Sequence, residues 1–188
     1  MIDFSREATL EEIHTLLDKY PESKTLVFPE SIREHNLDKD CSQILHALLR
    51  EYEPVNVLEC GTSWGGSGRV IVQALNANDK PFNYVGFEQE PNMRKSTENN
   101  VIPLAPDSVT IYGDITKNLD KVPCDLDFVF WDTEWDLPTT IWFLKNIFPK
   151  IKVGGLIQIH DWSVSLKDGV YAYEGGNFDG IGHLINLF

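Results

Sequence analysis

Basic residues are scarce in this sequence: 16 lysines and arginines stand against 29 acids, for a formal charge of −13 over 188 residues. A chain so acidic repels phosphate backbones and anionic lipid surfaces, which argues against nucleic acid or a membrane as a bulk partner. Cysteine is scarce too. Cys41, Cys60 and Cys124 are odd in number and far apart, and none has the spacing of a zinc site or a disulfide framework. No apolar run approaches the ~18 residues of a membrane span. The start, Met1-Ile2-Asp3-Phe4, lacks the basic and apolar regions of a secretory signal. A reducing, cytoplasmic setting is the expectation. Two nucleotide signatures are also missing. There is no Gly-Lys-[Ser/Thr], and Ser63 stands where the dinucleotide spacing counted from Gly61 needs a second glycine.

What remains is the composition of a folded protein, 42% apolar with 10 Phe and 5 Trp, at a length that suits a single domain. Residues 1–53 read as a helical cap. Ser5 can cap a first helix carrying Leu10, Ile13, Leu16 and Leu17 on one face, ended by Tyr20-Pro21. After a loop with Pro29, Asp40 can cap a second helix whose inner face carries Ile44, Leu45, Leu48 and Leu49.

Residues 54–188 change to short apolar runs alternating with amphipathic stretches. Strands are expected at 55–60, 83–87, 108–112, 126–131 and 155–159, with helices at about 65–77, 91–102, 115–121 and 138–149. Asp127-Phe128-Val129-Phe130-Trp131 is continuous rather than alternating, as in strands buried on both faces of a parallel sheet. The alternation implies a Rossmann-like, doubly wound α/β sheet with right-handed crossovers. Its last strand would leave a bare edge, so either another chain covers that edge or the C-terminal end is a shortened version of something longer. A short helix is expected at 179–188, and its apolar residues Ile181, Leu184, Ile185, Leu187 and Phe188 point to a homo-oligomer.

The chemistry gathers at predicted strand ends. Glu59-Cys60-Gly61-Thr62-Ser63-Trp64-Gly65-Gly66-Ser67-Gly68 joins the first strand to a helix, where open α/β sheets bind ligands. Its glycines let the backbone approach a ligand, and the helix start offers free N–H groups. Glu88 ends the second strand, placed to accept from both hydroxyls of a ribose, with Glu90 as a rival further out. Asp114 follows the third strand, where it can bond an adenine amino group or cap the next helix. Asp132 ends the fourth strand, as a catalytic or a cofactor-loop residue, and His160-Asp161 the fifth. Trp64, Trp131 and Trp162 wall a pocket, stack on adenine or fill the core. Glu134, Asp136 and His35 are further candidates, each with a solvated-loop alternative.

Together, Glu59-x-Gly61-x(3)-Gly65-Gly66-Ser67, then Glu88, Asp114 and Asp132, resemble the class I S-adenosylmethionine-dependent methyltransferases. The Gly-Gly-Ser spelling is similar to a branch with macrocin, mycinamicin and rhamnosyl O-methyltransferases and cephalosporin-hydroxylase-type proteins. The resemblance covers roughly residues 40–165 and implies sheet order 3-2-1-4-5 and S-adenosylmethionine as cofactor. It implies that Glu59, Gly61, Thr62, Ser63, Gly65 and Ser67 line its methionine end. Glu88 would hold the ribose, and Asp114 and Ile115 would face the adenine beside Asp132. It also implies a divalent cation, Mg²⁺ or Mn²⁺, on Asp132, His160 and Asp161. The chain departs from that branch twice: His160 replaces an acid, and Trp135 replaces a histidine. The reading is O-methylation of a small hydroxylated acceptor, with His160, Asp161 and Asp132 catalytic. The alternatives are a non-catalytic protein that keeps the fold and an unrelated nucleotide binder.

Overall fold

The computed structural model describes residues 8–35, 37–133 and 137–160, and beyond them only three short strands, 166–167, 170–171 and 184–186. Ser5, Glu134, Trp135, Asp136, Asp161, Trp162 and His183 lie outside the described residues, as do the side chains of His35 and of the three short strands.

Helix α1 (Leu10–Lys19) starts at Thr9. Its hydroxyl accepts from the Glu12 N–H while Glu12 reaches back to the Thr9 N–H, a reciprocal cap that satisfies two otherwise orphaned donors. Helix α2 (Lys39–Tyr52) is capped by Asp38, which accepts from the Cys41 N–H at 2.9 Å. This corrects the expected cap, because Asp40 lies inside the first turn, where its charge still suits the helix dipole. Leu16 buries against Ala47 and Leu48 and so fastens α1 to α2. The opposite side of α2, with Leu45 and Leu49, enters the main core.

His46 is buried on α2, its Nδ1 2.8 Å from the Ser23 hydroxyl. Burial holds its imidazole down to about 4, against a partial upward pull from Glu22. The unfolded histidine takes a proton near pH 6.5 and the folded one does not, so folding stability is lost as pH falls from about 6.5 through about 4. The whole window is worth on the order of 3 kcal/mol. Urea midpoints of His46→Gln should therefore fall less than wild type over that range. Parallel curves would exclude His46 as the titrating group.

Strands β1 (Asn56–Cys60), β2 (Asn83–Phe87), β3 (Val109–Tyr112), β4 (Leu126–Trp131) and β5 (Ile151–Ile159) form a parallel sheet in the order β3-β2-β1-β4-β5. Helices α3 (Gly66–Ala77), α4 (Pro91–Val101) and α5 (Leu137–Asn146) connect them. β4 is buried along all six residues, and its neighbour β1 along its last four. Phe128 and Phe130 join the cluster with α2 and α3, whereas Val129 and Trp131 join the cluster with α5. A continuous apolar strand thus fills two layers at once.

Four expectations are corrected. The 115–121 helix is two short 3₁₀ turns, Ile115–Lys117 and Leu119–Lys121. Asn118 leaves the helical region at φ −128°, and its side-chain amide donates to the Asp114 carbonyl that a continuing α-helix would use. The loop between α1 and α2 contains the 3₁₀ turns Pro21–Thr25 and Glu30–His35. β5 begins four residues early, with a register shift against β4 between Leu126 and Phe128 and Gly154 at φ +81°. Beyond a small hairpin of β6 (Leu166–Lys167) and β7 (Val170–Tyr171), β8 (Leu184–Asn186) pairs antiparallel with β5 where a helix was expected. The open edge of β5 offers unpaired N–H and C=O groups that the tail itself takes up. The edge is therefore covered by the same chain, and the bare-edge argument for a second copy falls away.

Candidate cofactor and acceptor site

At the carboxyl ends of β1, β2, β3 and β4 opens a cavity of about 480 Å³. Its walls come from Cys60 and Gly61 after β1, Phe87–Gln89 after β2, Gly113–Thr116 after β3, Trp131–Thr133 after β4, and Pro138, Thr139 and Trp142 of α5. That volume is the size of a small-ligand pocket.

The loop after β1 is bent into place by two glycines. Gly61 sits at φ +84°, and a Cβ there would lie 1.8 Å from the Asp132 carbonyl oxygen. The Gly61 and Thr62 N–H groups both donate to the Phe87 carbonyl, at 2.9 and 3.2 Å, and the Asp132 N–H donates to the Cys60 carbonyl at 2.9 Å. Gly61 is thus gripped between the ends of β2 and β4. Gly65, at φ +93°, is the N-cap of α3, and its N–H donates to the Thr62 carbonyl. Ser63 is also left-handed, at φ +47°.

Glu88 is buried yet lines the cavity. Its Oε2 accepts from the Ser63 N–H at 2.8 Å and its Oε1 from the Glu90 N–H at 2.9 Å. One carboxylate therefore ties the glycine loop to the loop after β2, and keeps lone pairs for a ligand hydroxyl. Glu90 is exposed and is the helix N-cap of α4, leaving Glu88 as the acid at the cavity wall. Asp114 lines the cavity while its Oδ1 caps the following turn through the Thr116 N–H and hydroxyl. Those bonds, and then Lys117 at 3.0 Å, hold its carboxyl below the usual range.

The remaining loop candidates lie beneath the cavity. Glu59 is fully buried and accepts from the hydroxyls of Ser67 and Tyr84. Burial pushes its carboxyl up to about 7, the two hydroxyls oppose the rise, and Asp132 and Glu88 add to it. The Thr62 hydroxyl is 3.1 Å from that of Thr97, which donates to the Ser63 carbonyl at 2.8 Å. Of the expected cofactor residues, Gly61, Glu88, Asp114, Ile115 and Asp132 border the cavity. Glu59, Thr62, Ser63, Gly65 and Ser67 do not, and each of them is bonded within the loop or below it.

Beside the glycine loop, Asp132 lines the cavity from the end of β4 and its Oδ2 lies 3.4 Å from Nδ1 of His160. His160 stands behind it, held by its N–H to the Trp131 carbonyl and by its ring over Phe130. Among the described residues no three His, Cys, Asp or Glu side chains come together as a metal site. Two donors make no complete shell for Mg²⁺ or Mn²⁺. Trp131 fills two of the three roles weighed for it: it packs in the core edge-on to Phe143 and lines the cavity. Sequence reasoning missed Trp142 and the Pro138-Thr139 turn. Their only signal was an aromatic on an otherwise mixed helix.

The family model for a methyltransferase domain matches residues 58–162, more than half of the chain. No curated protein sequence matches. Several solved structures share the fold. The O-methyltransferase TomG from Streptomyces achromogenes, in complex with S-adenosylmethionine, is 18% identical with TM-score 0.56, over 82% of this chain and 66% of that one. An O-methyltransferase from Bacillus cereus in complex with S-adenosylhomocysteine is 20% identical with TM-score 0.57, over 82% and 66%. The S-adenosylhomocysteine-bound methyltransferase of Podospora anserina is 17% identical with TM-score 0.57, over 82% and 71%. The chain thus spans about two thirds of the length of these proteins.

Proposed function

The chain belongs to the methyltransferase-domain family, of class I architecture, and from that premise we propose that it methylates a hydroxyl of a small acceptor. The observation that carries the reading is the cavity. The Gly61 backbone and the Glu88 carboxylate line it from β1 and β2, and Asp132 lines it from β4 with His160 behind.

The residues fit S-adenosylmethionine. Gly61 lets the loop turn tightly at the cavity wall, Glu88 offers a carboxylate to a ribose, and Phe87, Ile115, Trp131 and Trp142 supply apolar walls for a purine. Asp114 and Asp132 are among the polar groups of the same lining. When bound, the cofactor supplies an activated methyl on a sulfonium with a neutral leaving group. The protein then has two tasks, alignment and removal of the acceptor proton. His160 is the imidazole nearest the site, its Nδ1 3.4 Å from Asp132, and is the candidate to take the proton of an acceptor hydroxyl. Asp161, next in the chain, is the further candidate for orienting the acceptor or for completing a cation site.

Calorimetry with S-adenosylhomocysteine, with and without Mg²⁺, tests the cofactor half. S-adenosylhomocysteine release over a panel of small phenols and sugars tests the chemistry. His160→Asn should keep affinity for S-adenosylhomocysteine within about threefold and lower turnover by about 100-fold or more. Unchanged turnover would remove His160 as the base, and wild type that does not bind would end the methyl-transfer reading.

A further inference from the structure

Below the glycine loop lies a buried hydrogen-bond network that does not border the cavity. Glu59 on β1 accepts at Oε1 from Ser67, in the first turn of α3, and at Oε2 from the hydroxyl of Tyr84 on β2. Both Glu59 and Tyr84 are fully buried. The Tyr84 ring sits in the apolar cluster with Val70 and Val101, where a phenylalanine would fill the same space. Its hydroxyl is the part that needs a reason, since a buried O–H is costly unless it is bonded.

Gly68 makes room for that hydroxyl. A Cβ there would lie 2.6 Å from it and 3.0 Å from Glu59 Oε2. The hydroxyl ends a buried, rigid ring, so the contact could not relax by a side-chain swing. From Ser67 the path to the cavity is short. Gly65, two residues earlier, caps α3 and bonds Thr62, and Ser63 beside it donates to Glu88.

We propose that Tyr84 is a positioning residue for cofactor binding: through Glu59 and Ser67 it sets the first turn of α3, and with it the loop from Gly61 to Gly65. The inference rests on the methyl-transfer reading of the cavity.

The test is calorimetric titration of the full chain with S-adenosylhomocysteine for wild type, Tyr84→Phe, Gly68→Ala and the double variant. Thermal unfolding ensures that each is folded at the titration temperature. Tyr84→Phe should bind about tenfold more weakly, having lost one bond to a buried carboxylate. Gly68→Ala should also bind about tenfold more weakly, because its methyl meets the hydroxyl. The double variant should bind about as weakly as Tyr84→Phe, since deleting the hydroxyl removes the 2.6 Å contact and leaves only the 3.0 Å approach to Glu59; independent effects would multiply to about 100-fold. Wild-type affinity in folded Tyr84→Phe overturns the proposal, as does a multiplicative loss in the double variant. Should Gly68→Ala fail to fold, Tyr84→Phe decides alone. Failure of wild type itself to bind overturns both this inference and the reading beneath it.

Discussion

Gly61→Ala is expected to abolish measurable S-adenosylhomocysteine binding, by about 100-fold or more, and to lower folding stability by about 3 kcal/mol or more. Two independent costs combine. At φ +84° an alanine carries the steric penalty of the left-handed region. Its methyl would also overlap the Asp132 carbonyl oxygen, 1.8 Å away. That carbonyl belongs to backbone, held by the Asp132 N–H to the Cys60 carbonyl, so it has no rotamer to escape into. Relief requires β1 and β4 to part at the end that frames the cavity. Gly65→Ala supplies the comparison. Its φ is similar, at +93°, but its Cβ would meet Thr97 Cα at 3.0 Å, so the loss should be clearly smaller. Unfolding midpoints and calorimetry on both variants decide the order. Wild-type binding by Gly61→Ala would mean the loop does not form the cavity wall.

Glu88→Ala should weaken S-adenosylhomocysteine about 100-fold while leaving the chain folded. The carboxylate has two jobs that disappear together. It satisfies the N–H groups of Ser63 and Glu90, and it is the acid at the cavity wall that a ribose would meet. Leaving a partly buried donor without its acceptor costs about 1–3 kcal/mol on its own. Glu88→Gln separates the jobs in part. It keeps the size and one acceptor, but turns an NH₂ toward one of the two N–H groups, so an intermediate loss is expected. Affinity within threefold of wild type in Glu88→Ala would rule out the ribose role. A global loss of folding would instead mark Glu88 as a purely structural clamp between two loops.

Much of this frame was legible in the residues. Val129 and Phe130 lie in the continuous apolar run 128–131, which suits a strand covered on both faces, and β4 is buried on both. The caps Thr9 and Asp38 were less legible, and Ser5 and Asp40 were expected instead, because Ser, Thr and Asp near a helix start all make acceptable caps. Which one serves depends on where the preceding chain enters. The tail misled for a related reason. Leu184 and Ile185 suit an amphipathic helix as well as a strand, and what decides between them is the unpaired edge of β5, a partner roughly 30 residues away in sequence.

The candidate site divides along the same line. Gly61, Glu88, Asp114 and Asp132 were readable because parallel strands deliver their last residues to one end of the sheet, so position in sequence implies position in space. Glu59 and Ser67 belong to the same motif, yet they lie under the loop and not in the cavity. Glu59 sits on a strand, where side-chain direction reverses with each step, and Ser67 in the first turn of α3, where the rotation of the helix decides; only the packed neighbours tell which side holds the ligand.

The sequence by itself therefore determined a parallel α/β sheet, its strand ends, and an acid or glycine at each. Local patterning and alternation suffice for those. Tertiary structure alone decided that Tyr84 answers Glu59, that Glu88 ties two loops together, that Asp132 faces His160, and that the chain covers its own edge strand. Each of these is a contact between residues far apart in the chain, fixed by the packing of whole elements, and no spacing along one element encodes it.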